Sequence, residues 1–455
     1  MQKFIAKSSE LFDRFDPKYV AFKRRAANFR YSAVKLGSLL SESPEYGAGE
    51  AGIERVSDTT PRYIRITDID ENGELLPGLG MTAANVEPQY FLRDGDLLFA
   101  RSGNTVGKSY LHESERVAYP CFYAGYMIRF RFGEKVLPKY VFAFAQTPYY
   151  HEWVSAIQRS AGQPNINAQE YRSLEIPLPP LSDQRKIVAE LDAAYAAKRA
   201  ADEKATKLLA SIDDMALNEL GIAKLPKPDT SLSSRIFTVS AREATNGRLD
   251  AYYYKSSFKE LGKKLSCSNC VPFGRLITEI YNGIDCRDYK ESGVPYLKVA
   301  NVKPGEFDFD DLKYIDSQEL GAKDIALRAG RMLLTRKGTF GNAIALSEDY
   351  DYAISSEVFC LSIKNELVDV HYLETFVNSS IGRMLCDKYK IGAIMGSLSQ
   401  EAVKALPIPL PDAKVQHRIA SSATSIRAEA RKLKADATAA LDAAKRKVEL
   451  KIIGK

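Results

Sequence analysis

The chain has 455 residues, 45% of them hydrophobic and 27% charged, a composition typical of globular proteins and not of disordered ones. No apolar run reaches the roughly 18 residues needed to cross a bilayer, and the charged N-terminus lacks the pattern of a signal peptide. The net charge of +6 comes from residues 411–455, which hold 11 Lys and Arg against 5 Asp and Glu. We therefore expect a cytoplasmic protein of several domains with no membrane segment.

The cysteines predict neither a disulfide framework nor a metal site. Six cysteines in a chain of this length are too few and too scattered for a disulfide-rich fold. Cys267 and Cys270 form one C-x-x-C pair, but a structural zinc site needs four ligands and no second pair follows. We expect free thiols and no bound metal.

The sequence contains an internal repeat. Four blocks recur in the same order at offsets of 232 to 235 residues. The pairs are Arg14–Tyr19 with Arg248–Tyr253, Tyr63–Ile66 with Tyr296–Val299, Arg93–Gly103 with Arg328–Gly338, and Ile176–Pro179 with Ile408–Pro411. Such self-similarity indicates two copies of one unit of about 230 residues.

Each copy begins with short strands separated by turns. Residues 63–67 alternate as a strand does, and Asp94-Gly95 marks a turn ahead of a strand over Leu97–Ala100. The aromatic segment Tyr140–Phe144 fits either a buried strand or a buried helix, because its periodicity does not distinguish them. A proline-rich segment at 177–180 then excludes helix and closes the globular part.

A long helix follows each proline segment. Ser182 is a candidate N-cap, and no Gly or Pro interrupts residues 182–220. Apolar residues alternate spacings of three and four, a period of 3.5 residues that is typical of a coiled-coil seam. The predicted seam includes Ile187, Leu191, Ala205, Leu208 and Ile212 in the first helix, and Ile419, Ile426, Leu433, Ala437 and Ala440 in the second. We expect the two helices to pair with each other.

Together these elements predict an α/β (α+β) fold built as a pseudo-twofold tandem repeat. Two globular domains would be joined by two long antiparallel helices that form a coiled-coil-like pair. The predicted globular domains cover residues 1–180 and 222–410, and the predicted helices cover residues 181–221 and 411–455.

A glycine-rich segment follows the strand at 97–100. Residues 103–109 resemble a phosphate-binding loop, but three residues separate the two glycines where four are needed. The better interpretation is a strand, an arginine and a glycine turn, which places Arg101 and Arg336 at equivalent positions of the repeat. Arginine forks bind phosphates or guanine edges, and glycine lets a ligand approach the backbone. The alternative is a tight hairpin whose arginines are only solvated.

A second pair of matched segments covers residues 159–167 and 392–399. Gln163 and the neighbouring asparagines are suited to reading adenine bidentately. The same residue types also form turns and caps, so Asn167 or Ser399 could simply cap a following helix. The sequence leaves both interpretations open.

Catalytic motifs are absent from the sequence. It lacks the Asn/Asp-Pro-Pro-aromatic motif of amino-group methyltransferases, a Gly-rich cofactor loop, and the G-x-S-x-G, H-E-x-x-H and zinc-deaminase motifs. Two copies of one unit without a repeated catalytic group indicate recognition and not catalysis.

The Ile-Pro-Leu-Pro segments, each followed by a long helix with Gln184 or Gln416 near its start, resemble the specificity subunit of type I restriction–modification systems. The resemblance spans nearly the whole chain and is strongest over Ile176–Ile187, with weaker matches at Ile408–Ile419 and Arg248–Tyr253. It implies that each globular unit is a target recognition domain that reads one half of a bipartite site in double-stranded DNA. The helices would set the gap between the half-sites and dock two methyltransferase subunits, which restriction/translocase subunits can join.

The resemblance also implies that this chain is a non-catalytic subunit without cofactors, and that S-adenosylmethionine, Mg²⁺ and ATP belong to the partner subunits. The candidate DNA-binding residues are Arg62, Arg65, Arg101, Ser102, Asn104, Lys108, Arg159, Gln163, Asn165, Lys298, Arg336, Lys337 and Thr339. The candidate residues for the spacer and partner docking are Gln184, Ile187, Leu191, Leu208, Ile212, Gln416, Ile419, Ile426 and Leu433. The alternatives are a specificity subunit of a type II enzyme with a fused nuclease–methyltransferase partner, and a two-domain scaffold that does not bind DNA.

Overall fold

A computed structural model describes residues 17–25, 29–103, 105–158, 164–226, 229, 231, 236–245, 248, 250–266, 268–320, 327–392 and 396–453. Contacts divide the chain into two compact units, residues 1–202 with 434–455 (unit 1) and residues 203–433 (unit 2). The sequence-based boundaries treat the two long helices as separate segments. By contacts, each long helix instead contributes one part to each unit.

In the described residues, unit 1 contains short strands, four helices of one to three turns and parts of the long helices. Its strands are β1 (Ala33–Lys35), β2 (Glu45–Tyr46), β3 (Gly52–Glu54), β4 (Arg62–Ile64), β5 (Met81–Ala83), β6 (Leu97–Ala100), β7 (Ser109–Leu111), β8 (Cys121–Tyr123), β9 (Met127–Phe130) and β10 (Glu175–Pro177). Its helices are α1 (Pro17–Arg25), α2 (Pro138–Ala145), α3 (Pro148–Ile157), α4 (Ala168–Arg172) and the first part of α5 (Leu181–Glu219).

Unit 2 repeats this plan with somewhat longer strands. Its strands are β11 (Cys270–Pro272), β12 (Ile277–Asn282), β13 (Val294–Leu297), β14 (Val302–Lys303), β15 (Glu306–Phe307), β16 (Lys313–Ile315), β17 (Arg331–Thr335), β18 (Ala343–Ala345), β19 (Ala353–Ile354), β20 (Val358–Ile363) and β21 (Pro407–Pro409). Its helices are α6 (Ala241–Thr245), α7 (Ser256–Ser266), α8 (Val370–Asn378), α9 (Ser380–Tyr389), α10 (Gln400–Ala405) and the first part of α11 (Ala413–Ile453).

The two units share the strand order of their main sheet and a parallel strand pair in a second sheet, which confirms the predicted repeat. Each has a four-stranded antiparallel sheet, ordered β2-β9-β6-β7 in unit 1 and β12-β20-β17-β18 in unit 2. A second sheet contains one parallel pair, β4 with β8 and β13 with β19. The Ile-Pro segments form β10 and β21, which pair antiparallel with β1 and β11. The mixed α/β class predicted from the sequence is therefore confirmed.

Of the predictions for individual strands and helices, some are confirmed and others are wrong. The strand predicted over Leu97–Ala100 is β6, but the strand predicted over residues 63–67 ends at Ile64, because a 3-10 turn begins at Ile66. The segment Tyr140–Phe144, which the sequence left undecided, lies in α2. Proline occupies the first turn of this helix, where its missing N–H costs no hydrogen bond. Helix α5 begins at Leu181, so the predicted N-cap Ser182 lies within the first turn, and that prediction is wrong.

Both long helices help to form the core of unit 1. Residues from α5 and from the end of α11 share one hydrophobic cluster with the sheet and with α2 and α3; the helix residues are Ile187, Leu191, Tyr195, Leu441, Val448, Ile452 and Ile453. Glu190 of α5 forms ion pairs with Lys447 and Lys451 of α11. The start of one helix therefore packs with the end of the other, which confirms the predicted antiparallel pairing in this unit.

Unit 2 shows the complementary arrangement. Ala216 and Leu217, near the end of α5, share a hydrophobic cluster with Ile419 and Ala420, near the start of α11. Here Glu219 pairs with Arg418 at 3.0 Å. Both cores consequently depend on both long helices.

The buried positions of α11 differ in part from the predicted seam. Ile419, Ala430, Leu441 and Ile452 are buried and recur every 11 residues, whereas the predicted seam residue Ala440 is exposed. An 11-residue repeat corresponds to 3.67 residues per turn, close to the 3.6 of an undistorted helix, while a 3.5-residue period requires a left-handed supercoil. The prediction at Ala440 is wrong because alanine is so frequent in this helix that it satisfies either period.

Two equivalent glutamines fasten the long helices to their units. The side-chain oxygen of Gln184 accepts a hydrogen bond of 2.9 Å from the Leu137 N–H, and that of Gln416 accepts one of 2.9 Å from the Asp369 N–H. Each side-chain amide also donates a 2.9 Å bond to the proline carbonyl five residues earlier. Because both glutamines are buried, they fix the direction in which each helix leaves its proline segment.

Candidate nucleic-acid interface

The repeated arginine of unit 1 lies between two neighbouring backbone segments. Strand β6 ends at Ala100, and Gly103 then turns the chain with a φ of 87°, a value that favours glycine. The Arg101 N–H donates a 2.9 Å bond to the Tyr126 carbonyl, and the Arg101 carbonyl accepts a 2.8 Å bond from the Ile166 N–H. The predicted strand–arginine–glycine turn is confirmed here, and its backbone is fixed on both sides.

The same frame recurs in unit 2. Strand β17 ends at Thr335, and Gly338 turns the chain with a φ of 69°. The Arg336 N–H donates a 2.9 Å bond to the Glu357 carbonyl, and the Arg336 carbonyl accepts a 2.8 Å bond from the Leu398 N–H. Arg101 and Arg336 are therefore equivalent in structure as well as in sequence.

Within the described residues, the guanidinium groups of both arginines contact an aromatic ring but no hydrogen-bond acceptor. The Arg101 guanidinium lies over the Tyr46 ring, 4.8 Å from its centre, and that of Arg336 lies 5.1 Å from the centre of the Phe359 ring. The Nε atom of each arginine is buried, and among the described residues neither side chain has a hydrogen bond or an ion pair. A donor withdrawn from water without a partner costs about 1–3 kcal/mol. Both arginines are half-buried and remain candidates for binding an acceptor outside the chain.

A cleft of about 340 Å³ surrounds Arg336 in unit 2. Its charged residues are four cations and two anions, namely Arg287, Lys298, Arg336, Lys337, Asp285 and Glu357. Tyr289 adds an exposed aromatic ring, and Ser355 and Ser356 add hydroxyls. The structure therefore brings the sequence-predicted residues Lys298, Arg336 and Lys337 together in one basic cleft, whose chemistry suits an anionic ligand that also carries polar edges.

Equivalent tyrosines support this region in both units. The Tyr63 hydroxyl donates a 2.8 Å bond to the Ala48 carbonyl, and the Tyr296 hydroxyl donates a 2.8 Å bond to the Ile284 carbonyl. Burial raises the pKa of Tyr63, and burial raises the pKa of Tyr296 to about 12. Both hydroxyls therefore stay protonated at neutral pH and hold the loop that runs beside the arginine turn.

Three predicted DNA-binding residues of unit 1 are used inside the unit. Arg62 is 3% exposed and donates to the carbonyls of residues 76 and 78 and to the hydroxyl of residue 119. Lys108 bonds the Ile69 carbonyl at 3.1 Å and pairs with Glu71 at 2.7 Å. Arg65 is half-buried and binds both carboxylate oxygens of the residue three positions later. Arg62 and Lys108 are not suited to contact DNA, because the two terminal nitrogens of Arg62 and the ammonium group of Lys108 already bond within the unit.

The remaining predicted residues lie nearer to the two turns. Ser102 and Asn165 face each other in an isolated antiparallel bridge beside Arg101. Thr339 is exposed at the tip of the turn in unit 2. Lys298 lies 5.6 Å from the centre of the Tyr289 ring and pairs with an aspartate at 3.3 Å. The predicted residues Asn104, Arg159 and Gln163 lie outside the described residues.

The open question about Asn167 and Ser399 is answered by their contacts. The Asn167 side chain accepts a 2.9 Å bond from the Glu170 N–H at the start of α4, and the Ser399 hydroxyl accepts a 3.0 Å bond from the Ala402 N–H at the start of α10. Both residues are helix N-caps.

Three residues near the two turns, Tyr126, Arg287 and Glu357, were not predicted from the sequence. Tyr126 and Glu357 precede the equivalent strands β9 and β20, but their residue types differ and neither falls within a repeated block. Only the hydrogen bonds to Arg101 and Arg336 reveal that the two positions correspond.

The predicted partner-docking residues fall into two groups. Gln184, Ile187, Leu191, Gln416 and Ile419 are buried within their own units and are not available to a partner. Leu208, Ile212, Ile426 and Leu433 are half-buried, and these four remain candidates for docking. The sequence does not separate the two groups, because a coiled-coil seam and a helix face packed on its own domain have similar patterns.

The described parts of the chain contain neither a candidate metal site nor a candidate membrane-spanning helix. No group of three His, Cys, Asp or Glu residues there is arranged to hold a metal ion, and Cys267 of the C-x-x-C pair lies outside those parts. No helix there is both long and apolar enough to span a membrane.

Comparison with known families matches residues 81–207 and 284–436 to the type I restriction modification DNA specificity domain. These two segments make up more than half of the chain. The chain belongs to the type I restriction–modification specificity family. The first matched segment of this specificity protein contains Arg101, Tyr126 and Gln184, and the second contains Arg336 and Glu357.

Similar proteins carry the same description. The specificity subunit of the type I restriction enzyme EcoKI from Escherichia coli K12 is 23% identical over 246 residues, which cover 53% of this chain and 47% of that protein. The StySPI specificity subunit from Salmonella potsdam is 21% identical over 336 residues, covering 71% and 66%. The EcoBI specificity subunit from Escherichia coli is 21% identical over 281 residues, covering 60% and 56%. This specificity protein thus spans about half the length of EcoKI and EcoBI in the matched regions.

Solved structures of similar proteins cover nearly the whole chain. The HsdS subunit from Thermoanaerobacter tengcongensis is 15% identical with a TM-score of 0.34, covering 93% of this chain and 97% of that one. The type I restriction–modification S subunit from M. genitalium is 12% identical with a TM-score of 0.41, covering 92% and 96%. Because these TM-scores are below 0.5, the family assignment of this specificity protein rests on the sequence match.

Proposed function

We propose that the chain reads a bipartite, asymmetric sequence in double-stranded DNA, one half with each unit, as the recognition subunit of a type I restriction–modification complex. The observation that carries the proposal is the pair of equivalent turns that present Arg101 and Arg336, whose guanidinium groups have no hydrogen bond or ion pair to any residue that the structure describes. A guanidinium fork binds guanine O6 and N7 or a phosphate through two parallel hydrogen bonds.

The division of the chain supports two readers of different specificity. The backbone frames of the turns are alike, but the side chains beside them differ, with Ser102 and Tyr126 in unit 1 and Lys337 and Glu357 in unit 2. Two turns with the same backbone hydrogen bonds and different neighbouring side chains are suited to reading two different half-sites. An asymmetric site of this kind requires two readers within one polypeptide, because identical subunits would read a palindrome.

The chemistry would belong to partner subunits. Methylation of a base in a duplex requires that the base be flipped out into a catalytic pocket. We assign that pocket, with S-adenosylmethionine, to two methyltransferase subunits, and Mg²⁺ and ATP to restriction/translocase subunits. In this assignment the chain is a non-catalytic subunit, and the half-buried apolar residues Leu208, Ile212, Ile426 and Leu433 of the long helices are candidates for the docking surface.

The test replaces one arginine at a time. Arg101→Ala should weaken binding of the assembled complex by about 1–3 kcal/mol and relax discrimination in one half-site only, if the fork grips a guanine edge. Arg336→Ala should do the same for the other half-site. If the fork grips phosphate, affinity should fall equally for all sequences and the dependence of binding on salt should become shallower. The measurement is a titration with oligonucleotide duplexes varied in one half at a time.

Matched variants define the controls. Arg336→Lys keeps the charge but removes the bidentate fork. Compared with Arg336→Ala, it should regain the salt dependence of wild-type binding but not the discrimination between bases in that half-site. Lys263→Ala removes a cation that is 74% exposed on α7, away from the residues that line the cleft, and should bind like the wild type. Wild-type binding by both arginine-to-alanine variants on every duplex would show that these arginines are only solvated turn residues.

A further inference from the structure

The carboxylate of Glu357 occupies an unusual place for a surface that binds DNA. It lines the basic cleft beside Arg336, its side chain is 46% exposed, and it lies 3.6 Å from the Lys337 ammonium group. A negative charge in such a cleft repels the phosphates of a duplex. Besides the Lys337 ammonium group, a hydrogen-bond donor on the ligand would offset this repulsion.

DNA offers few donors to a carboxylate. Phosphates and the sugar oxygens only accept hydrogen bonds, and in the major groove the donors are the exocyclic amines, cytosine N4 and adenine N6. Glutamate and aspartate accept from cytosine N4 for this reason. The neighbouring Lys337 donates where the same base pair, or the next one, presents an acceptor such as guanine O6 or N7.

The equivalent place in unit 1 has a different chemistry. The Tyr126 carbonyl accepts from the Arg101 N–H as the Glu357 carbonyl does from the Arg336 N–H, at 2.9 Å in both cases. The Tyr126 side chain is 66% exposed, and the position next to Arg101 is Ser102 in place of a lysine. An aromatic ring and a hydroxyl favour apolar contact with a base or acceptance of a single hydrogen bond, and neither requires an amine on the DNA.

We propose that the paired positions 126 and 357 determine specificity, and that Glu357 accepts a hydrogen bond from an exocyclic base amine in the half-site read by unit 2. Tyr126 takes the corresponding place in unit 1, so the two half-sites differ at the base pair that faces this position. Lys337, which lies beside the carboxylate, contributes attraction to the duplex. This inference rests on the proposed function, because it names the chemistry of one contact within the same interface.

The test selects duplexes from a pool of random sequence with the complex assembled on the full-length chain, and compares the wild type with Glu357→Ala. The variant should lose preference at one base pair of one half-site, by about 5- to 150-fold, and should keep its preferences elsewhere. Its affinity for random duplex should be unchanged or higher, because one repulsive charge is gone. Glu357→Gln should retain a preference at the same base pair and shift it toward adenine, which glutamine reads bidentately.

Two further variants distinguish base recognition by Glu357 from an effect that Glu357 has only through Lys337. Lys337→Ala should lower affinity for all duplexes while leaving the preference at that base pair within about threefold of wild type, since the carboxylate remains. Glu260→Gln removes a carboxylate that is 55% exposed on α7 and should change nothing. Equal loss of preference in Lys337→Ala and Glu357→Ala would mean that Glu357 acts only through the lysine, and the inference would be wrong.

The outcome for the wild type distinguishes this inference from the proposed function. If the wild-type complex selects no sequence, the proposed function fails. If the wild type selects a bipartite sequence and Glu357→Ala retains every base preference, only the role of Glu357 is overturned.

Discussion

Inserting four residues into both long helices is expected to lengthen the gap between the recognised half-sites by about two base pairs. The insertions belong after Asp202 in α5 and after Leu433 in α11, where the contacts of each helix pass from one unit to the other. Four helical residues add about 6 Å at 1.5 Å each, close to two steps of ~3.4 Å along DNA. Four residues exceed one turn by only about 40°, so the buried faces stay nearly in phase.

Both helices must be lengthened together. An insertion near Ala201 in α5 alone shifts one helix against the other. It would place Glu190 out of register with Lys447 and Lys451 in unit 1, or Glu219 out of register with Arg418 in unit 2. We therefore expect the single insertion to destabilise the protein and the paired insertion to preserve its folding.

The assay is selection of duplexes from a pool in which the two half-sites are held constant and the gap between them varies. A series with four and with seven inserted residues should give gaps longer by about two and about three base pairs, because seven residues add about 10.5 Å. The half-sites themselves should not change. An unchanged gap in folded variants that still bind DNA would refute the idea that the helices measure the spacing.

Further predictions concern the helix attachments. Deleting residues 411–455 should prevent assembly with two methyltransferase subunits, because both cores lose residues such as Ile419 and Leu441; a truncated chain that still forms the two-to-one complex in size-exclusion chromatography would contradict this. Gln184→Ala and Gln416→Ala should each lower the free energy of unfolding by about 1–3 kcal/mol, since a buried N–H loses its acceptor. Denaturant titration measures this loss, the exposed Gln169→Ala is the matched control, and equal stability of all three variants would show that the glutamines do not fasten the helices.

The sequence was most informative where the two copies could be compared. The repeat, the two long helices and the equivalent turns at Arg101 and Arg336 follow from matched blocks, and the structure confirms each of them. Such features depend on backbone geometry, which glycine, proline and hydrophobic spacing determine locally.

The sequence was least informative about which polar side chains are free. Arg62 and Lys108 looked as available as Arg101, but their partners lie up to 57 residues away and come close only in the folded unit. Glu357 escaped notice because its equivalent is a tyrosine. Availability of a charged side chain depends on tertiary contacts, and no local pattern encodes them.

The long helices show a third limit on what could be predicted from the sequence. Their length and antiparallel pairing could be predicted from uninterrupted, periodic sequence. The face that each helix buries could be predicted only in part, because a domain-facing stripe and a partner-facing seam use the same residue types. Gln184 and Gln416 were predicted as residues of the spacer or of partner docking, and their hydrogen bonds are made within the units.

The most direct test of the central claim is to map methylated adenines by single-molecule sequencing in cells that carry the chain with its methyltransferase subunits, and to compare them with cells that lack the chain. If the chain reads a bipartite site, methylation will lie within one motif that consists of two short, unlike sequences separated by a fixed gap of unspecified bases. Arg101→Ala should relax one part of that motif and Arg336→Ala the other. Methylation that does not depend on the chain, or methylation within a single continuous palindrome, would contradict the proposal that the chain reads a bipartite site.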